Sequence, residues 1–455
     1  MRIEKIDEIP LIFENRFPPY YINDVEGWGV SRDDLHSRSE DGTFKLLTLD
    51  IDFGQKCTLA CPHCFRKSNA LDTEAPPLSF DELLSYIKEA KGLGLKSVKF
   101  LGAGEPFEQP RIIEFLKELR KLDIKPAIFT KGHVLGSDSL TREYFSPYGI
   151  ETAERLVRML KELDVSILLG FNSFDEETQT NFIGKKASNG KGYFKLRNNA
   201  LVNLVNAGFN EYVPGKATRL ALIAAPIKPE NIDEIFEIYR WGRRRNMYTL
   251  SCPTTFSGRG KCELDREHLM DFESYIYNLK DLYVKIYKWN IENGLMSLET
   301  FMEEGVSLYP GCHTCNQVAA GMYLTLRGKI IRCPGRDDNE SEIVEDIRKE
   351  KSLKDVWRKS FNYKLARRID KFNFHCIARD GYFFERKHNF YQDVYLRVLN
   401  GVNAKKKICT EELVEAKGEF ICPHKEFFSN NPNFRYVNNN LYLENHSRTC
   451  LQKSL

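Results

Sequence analysis

Cys57-Thr58-Leu59-Ala60-Cys61-Pro62-His63-Cys64 is the stretch from which the rest of this chain is read. Three thiols fall inside eight residues, directly behind the apolar run Leu46 to Phe53, which has the character of a strand. Thiols this close cannot pair off in disulfides without leaving one over, but together they can hold a single inorganic cluster. A cubane iron–sulfur cluster has four irons, so three cysteines leave one iron without a protein ligand. An open coordination position is where a metal engages a substrate or cosubstrate, whereas structural sites are closed. The competing reading is a zinc or closed cluster site completed by a distant cysteine.

Outward from this loop the chain alternates between strand and helix patterns. Ser79 with Glu82 three residues on forms a capping box that opens the first helix. Lys99-Phe100-Leu101 is a second strand, ending in Gly102-Ala103-Gly104-Glu105-Pro106. Ile112, Phe115, Leu116 and Leu119 then share one helical face. Ala127-Ile128-Phe129 is a third strand; after a turn-rich stretch (133–150), Leu156, Met159, Leu160 and Leu163 form another helical stripe. Val165–Phe171, Leu220–Ala225 and Met247–Cys252 read as strands four to six, with helices at 197–207, 231–245 and about 265–292. Such alternation implies parallel βαβ units with right-handed crossovers. Parallel strands place ligands at their carboxyl ends, so the cysteine loop, Gly104-Glu105-Pro106 and Asn172-Ser173 should converge on one rim. Residues 1–43 show no periodicity and carry Phe13, Phe17, Tyr20, Tyr21 and Trp28, an irregular extension draped on the main domain.

The spacing Cys57-x3-Cys61-x2-Cys64 after a first strand resembles the signature of the radical S-adenosylmethionine (SAM) superfamily. The resemblance implies a partial (β/α)6 TIM-like barrel of the α/β class over residues 44–262. It implies that Cys57, Cys61 and Cys64 ligate three irons of a [4Fe–4S] cluster, with SAM chelating the fourth, and that His63 lies near the adenine. Gly102-Ala103-Gly104-Glu105-Pro106 resembles the family's Gly-Gly-Glu-Pro motif, whose backbone meets the SAM amino group; one of the paired glycines is here Ala103. Read alone, the same residues are a strand-to-helix turn. Asn172 and Ser173 match the position of polar ribose contacts, and an ordinary Asn-Ser turn is the alternative. Ser257-Gly258-Arg259-Gly260 resembles a Gly-Arg element that follows the sixth strand in members with a C-terminal cluster domain.

A second triplet, Cys312-x2-Cys315-x17-Cys333, encloses Met322 to Arg332, which reads as two strands around an Arg-Gly-Lys turn. This resembles the SPASM/twitch extension, where such a hairpin carries an auxiliary [4Fe–4S] cluster; a structural zinc is the alternative. Lys351 to Trp357 resembles the short helix that follows it. One auxiliary cluster is expected, with Cys376 the leading fourth ligand and Cys422 or Cys409 behind it; with no fourth cysteine the cluster would keep an open iron able to bind substrate. The expected divisions are an extension (1–43), the barrel (44–262), a connecting helix (263–305) and an auxiliary-cluster region (306–455).

The composition is that of an ordinary soluble protein rather than a disordered or collagenous one: 455 residues, 42% apolar, 29% charged, net charge +3. That charge balance gives no reason to invoke nucleic acid, and no run is apolar enough to span a bilayer. Without a signal-peptide pattern the expected compartment is the cytoplasm, where twelve cysteines serve as ligands or free thiols rather than disulfides. The chemistry implied is reductive cleavage of SAM to a 5′-deoxyadenosyl radical that abstracts a substrate hydrogen, fed by a reductant such as flavodoxin or ferredoxin. The substrate is a small molecule or a peptide or protein side chain. A non-catalytic iron–sulfur or zinc protein for electron transfer or assembly is the rival reading.

Overall fold

The structure is a computed structural model that describes residues 2–40, 42–65, 76–184, 192–253, 258–260, 272–313, 315, 317–331, 343–350, 352–360, 363, 390–406, 434–437 and 440–443. Six strands appear where the sequence places them: β1 (Thr48–Asp52), β2 (Ser97–Gly102), β3 (Lys125–Thr130), β4 (Ser166–Gly170), β5 (Leu220–Ile223) and β6 (Tyr248–Leu250). They pair in parallel in chain order, each crossing to the next through at least one helix. The twofold period of a strand divides β1 cleanly. Leu49 and Ile51 are buried away from the interior cavity, while Thr48 and Asp50 line it.

The helix Phe80–Gly92 starts at the capping box read from sequence. The Ser79 hydroxyl accepts from the Glu82 amide and the Glu82 carboxylate accepts from the Ser79 amide. The helix Ile112–Lys121 buries Ile112, Ile113, Phe115, Leu116 and Leu119. Behind it Phe115 meets Phe53 and Phe100 with ring centroids 5.1 and 5.9 Å apart, joining β1, β2 and this helix in one core. Truncating a ring this enclosed costs about 3–5 kcal/mol.

The sheet continues past the sixth strand. A hairpin of β7 (Gly321–Leu324) and β8 (Lys329–Ile331), followed by β9 (Ile343–Asp346), extends it to nine strands in the order β6-β5-β4-β3-β2-β1-β7-β8-β9. The expected hairpin is present, turning at Thr325–Gly328. It is not set apart from the barrel, because β7 pairs in parallel with β1, with Thr48 opposite Gly321. The pairing is close: a Cβ on Gly321 would sit 2.2 Å from Thr48 Oγ1 and 2.6 Å from the Thr48 carbonyl oxygen. The helix Leu353–Lys359, capped by Ser352, docks beside it, with Glu89 accepting from the Ser352 hydroxyl at 2.7 Å and Trp357 Nε1 donating to the Phe44 carbonyl at 2.9 Å.

The N-terminal extension does more than cover a surface. Val25 bridges to Thr218, just ahead of β5, and packs with Ala127, Leu168, Ala221 and Leu250 inside the barrel. Trp28 lies 5.4 Å from the Phe129 ring and 6.1 Å from Tyr309. Residues 22–31 therefore cross the amino ends of the strands and line the cavity from that side. Farther out, Phe13, Phe17 and Tyr21 interlock with Tyr212 and Trp289, the latter on the helix Phe272–Asn293.

The chain separates into two compact units, Met1–Gly381 and Tyr382–Leu455. In the second, the helix Phe390–Lys406 and an antiparallel pair, β10 (Phe434–Val437) with β11 (Asn440–Leu443), are described. Cys333, Cys376, Cys409 and Cys422 lie outside the described residues.

Candidate active site

A cavity of about 920 Å³ runs through the barrel, near the top of the size range for ligand pockets. At the carboxyl ends of the strands it is lined by Cys57, Cys61, His63 and Cys64, by Gly102, Gly104 and Glu105, and by Lys131. All three thiols of the first triplet gather in one cluster with Leu59, Ile183 and Tyr193.

The cysteine loop is held from below. Glu108, fully buried, accepts from the Thr58 amide at 3.0 Å and the Thr58 hydroxyl at 2.8 Å, and its Oε1 lies 2.8 Å from His133 Nε2. Burial raises the Glu108 carboxyl, but the bonds from His133 and Thr58 outweigh it and hold the group below the usual range. From above, the Arg259 amide donates to the Cys64 carbonyl at 2.9 Å and its guanidinium to the Cys61 carbonyl at 3.2 Å. The Gly258-Arg259 element read from sequence therefore ties down the loop itself.

Gly104 passes so close to the loop that a Cβ would lie 2.3 Å from the Lys56 carbonyl oxygen, so only glycine fits. Glu105 is 4% exposed, and its carboxylate accepts from the Thr130 hydroxyl at 2.6 Å and the Lys131 amide at 2.9 Å. It thereby ties the end of β2 to the end of β3. Pro106 opens a short 3-10 turn and does not line the cavity. His63 lines it, packed 5.6 Å from the Phe182 ring, with its Nδ1 buried and unpartnered. Burial, helped by Lys131 and Lys228, holds His63 well below the usual histidine value, so its ring is neutral and free to meet an uncharged heterocycle.

Asn172 and Ser173 differ from expectation. Both are fully buried and neither lines the cavity. The Asn172 amide side chain donates to the Ala225 carbonyl at 2.7 Å, bracing the ends of β4 and β5, and the Ser173 hydroxyl donates to Glu234 at 2.6 Å, tying the end of β4 to the helix Ile232–Arg244. Lys131, by contrast, was not singled out in the sequence. It lies beside Gly170, where a Cβ would come within 2.9 Å of its Cδ, and among the cations acting on Cys61 it lowers that thiol most.

The donor set fits an iron–sulfur cluster with SAM. Three sulfurs come from one short loop beside a glycine-walled cleft, a neutral histidine with an unpartnered nitrogen and a lysine. Burial pushes the Cys57 thiol up to about 12, with Glu105 adding to the rise, and raises Cys61 likewise. Such thiols become ligands only by giving their protons up to a metal.

Of the second triplet, Cys315 lines the same cavity. Cys312 is 3% exposed and packs against Val25 and Tyr248, with Arg243 Nη2 3.6 Å from its sulfur. Arg243 is itself fully buried, and its other arm donates to Asn23 at 2.7 Å.

Residues 51–247 match the Radical SAM superfamily. Among curated proteins the chain is 28% identical over 116 residues to GTP 3′,8-cyclase of Clostridium perfringens, covering 25% of this chain and 35% of that one. It is 29% identical over 125 residues to the tungsten-containing aldehyde ferredoxin oxidoreductase cofactor-modifying protein of Pyrococcus furiosus, covering 25% and 34%. The chain thus spans about a third of the length of these relatives. Among solved structures, native anSMEcpe with bound AdoMet and Kp18Cys peptide superposes with a TM-score of 0.50 at 13% identity, over 80% of this chain and 99% of that one. Fold and cysteine loop agree with the family match, which assigns residues 51–247 of the chain to a radical SAM domain.

Proposed function

We propose that the protein is a radical SAM enzyme acting on a substrate held inside the barrel, with a second iron–sulfur cluster at the far end of the same cavity. The observation that carries this is the meeting of Cys57, Cys61 and Cys64 with the Gly102–Gly104 backbone and His63 on the lining of the barrel cavity. Cluster and SAM, when bound, supply reductive cleavage to methionine and a 5′-deoxyadenosyl radical that removes a hydrogen atom from the substrate.

The chain's residues do the rest. Cys57, Cys61 and Cys64 would hold three irons, Gly102 and Gly104 would admit the SAM amino group to the backbone, His63 would lie by the adenine, and Lys131, lining the same cavity, would offer a cation to the SAM carboxylate. Barrel walls and the N-terminal segment exclude water from the reacting carbon. Cys312, Cys315 and Cys333 ligate the second cluster, completed by Cys376, Cys422 or Cys409, and electrons arrive from a flavodoxin or ferredoxin. GTP 3′,8-cyclase is named for a nucleotide and the anSMEcpe complex holds a peptide, so the substrate is a small molecule or a peptide or protein side chain.

The test is anaerobic reconstitution with iron, sulfide, SAM and dithionite. Slow release of 5′-deoxyadenosine without added substrate is expected, and Cys61→Ala should abolish it. A protein with intact clusters that releases none would overturn the reading.

A further inference from the structure

The walls of the cavity are chemically unequal. From β3 to β6 the side chains that line it are chiefly apolar, among them Phe129, Leu168, Ile223 and Leu250. On β1 and β2 they include Thr48, Asp50 and Lys99. Parallel register sets Asp50 directly opposite Lys99, so the two charges are neighbours by backbone geometry alone. Both are buried, at 3% and 5% exposure.

This pair is only half satisfied. Lys99 Nζ donates to Gln317 Oε1 at 3.2 Å and stands 3.8 Å from Asp50 Oδ1, beyond hydrogen-bonding distance. Asp50 Oδ1 and Thr48 Oγ1 have no partner within hydrogen-bonding distance, although Lys99 and Gln317 both act on the Asp50 carboxyl and lower it. An ammonium carries three donors, so Lys99 also has donor capacity to spare. The Trp28 ring, 4.8 Å from Lys99 Nζ, forms an apolar flank. Buried polar groups are ordinarily paired, and unpaired ones facing a cavity mark where a further partner belongs.

The chemistry of that partner follows from the charges. Asp50 and Lys99 neutralise each other. Asp24, which also lines the cavity, is countered by His313 and Arg243 in addition to Lys99. A charged ligand would leave an uncompensated charge in a buried wall. A neutral group that offers one donor and one acceptor on adjacent atoms satisfies both vacancies.

We propose that Asp50, Lys99 and Thr48 form the substrate-anchoring subsite, which binds a neutral donor–acceptor edge, either a carboxamide or a vicinal diol. The donor would bond to the Asp50 carboxylate and the acceptor to Lys99 Nζ, with Thr48 beside them on the same wall. This rests on the reading of the cavity as a substrate chamber, and it narrows the substrate to molecules with such an edge within reach of the radical.

Saturation-transfer NMR on the full-length, anaerobically reconstituted protein tests it, with SAM present and no reductant. The probes are N-acetylglycinamide, methyl β-D-glucopyranoside, methylammonium and acetate. Saturation transfer to one neutral probe is expected: the amide identifies a carboxamide substrate, the glucoside a diol. Its dissociation constant should rise at least tenfold in the charge-balanced double variant Asp50→Asn/Lys99→Met and severalfold in Thr48→Val, which keeps the charges and the side-chain shape. Transfer to neither neutral probe, preference for a charged one, or unchanged affinity in Thr48→Val would each overturn the proposal. Deoxyadenosine release by the native protein with dithionite, measured in parallel, reports on the radical reading alone, so the two ideas fail separately.

Discussion

Glu108 shows how much of the site depends on one side chain that touches no ligand. Its carboxylate gathers the Thr58 amide, the Thr58 hydroxyl and His133, so the loop between Cys57 and Cys61 has a fixed floor. Glu108→Gln keeps the size but leaves one acceptor oxygen for three donors. The expected cost is about 1–3 kcal/mol, with iron per chain falling after desalting, read by thermal unfolding and iron analysis. Asp50 gives the pH dependence. Burial, only partly offset by Lys99, pushes its carboxyl up to about 6. The folded protein therefore holds a proton there that the unfolded chain has released between about pH 4 and 6. This contribution is fully present below that window and lost as pH rises through it. Asp50→Asn lacks the effect, so its thermal midpoint relative to the native protein should climb between pH 5 and pH 7.5. A constant difference would show that Asp50 does not titrate in this way.

At the scale of elements, β7 is the piece that the sequence did not locate. The six barrel strands and their helices were legible because hydrophobic period and a capping box are local signals. The partner of Met322-Tyr323-Leu324 is not a local property, and the hairpin read correctly as a hairpin without revealing that it adds to β1. The inversion at Asn172 and Ser173 has a similar cause: chain position brought them to the right rim, but Ala225 and Glu234, distant in sequence, claimed their polar atoms. Lys131 escaped notice because a lone lysine after a strand carries no motif. Gly321 makes the β1–β7 junction testable. Gly321→Val should lower the melting temperature by several degrees and speed hydrogen exchange in β1, since Thr48 blocks any side chain there. Gly92→Ala is the matching control: nothing lies within 4 Å of its Cβ position at the end of a helix, so it should be neutral or stabilise by up to about 1 kcal/mol.

For the whole molecule, the informative fact is that one cavity is lined by the first cysteine triplet and by Cys315. Sequence spacing gave two triplets in separate regions; the parallel β1–β7 pairing brings the later one onto the barrel. Cys315→Ala should halve the iron from about eight to about four atoms per chain while leaving abortive SAM cleavage measurable. Equal loss of cleavage in Cys315→Ala and Cys61→Ala would refute two clusters with separate tasks. No helix among the described residues is long and apolar enough to cross a membrane.

The N-terminal segment carries a consequence for how the protein is made. Val25 needs Thr218 and Trp28 needs Phe129 and Tyr309, so residues synthesised first can settle only after most of the barrel has emerged. Contacts of such sequence separation form slowly, because a long loop must close before they gain anything. Throughout translation of the barrel its floor is missing, and the cavity stays open on the amino-end side. Closure of the floor is thus a late event in folding, and the amino-end side of the cavity is completed by the part of the chain that is made first.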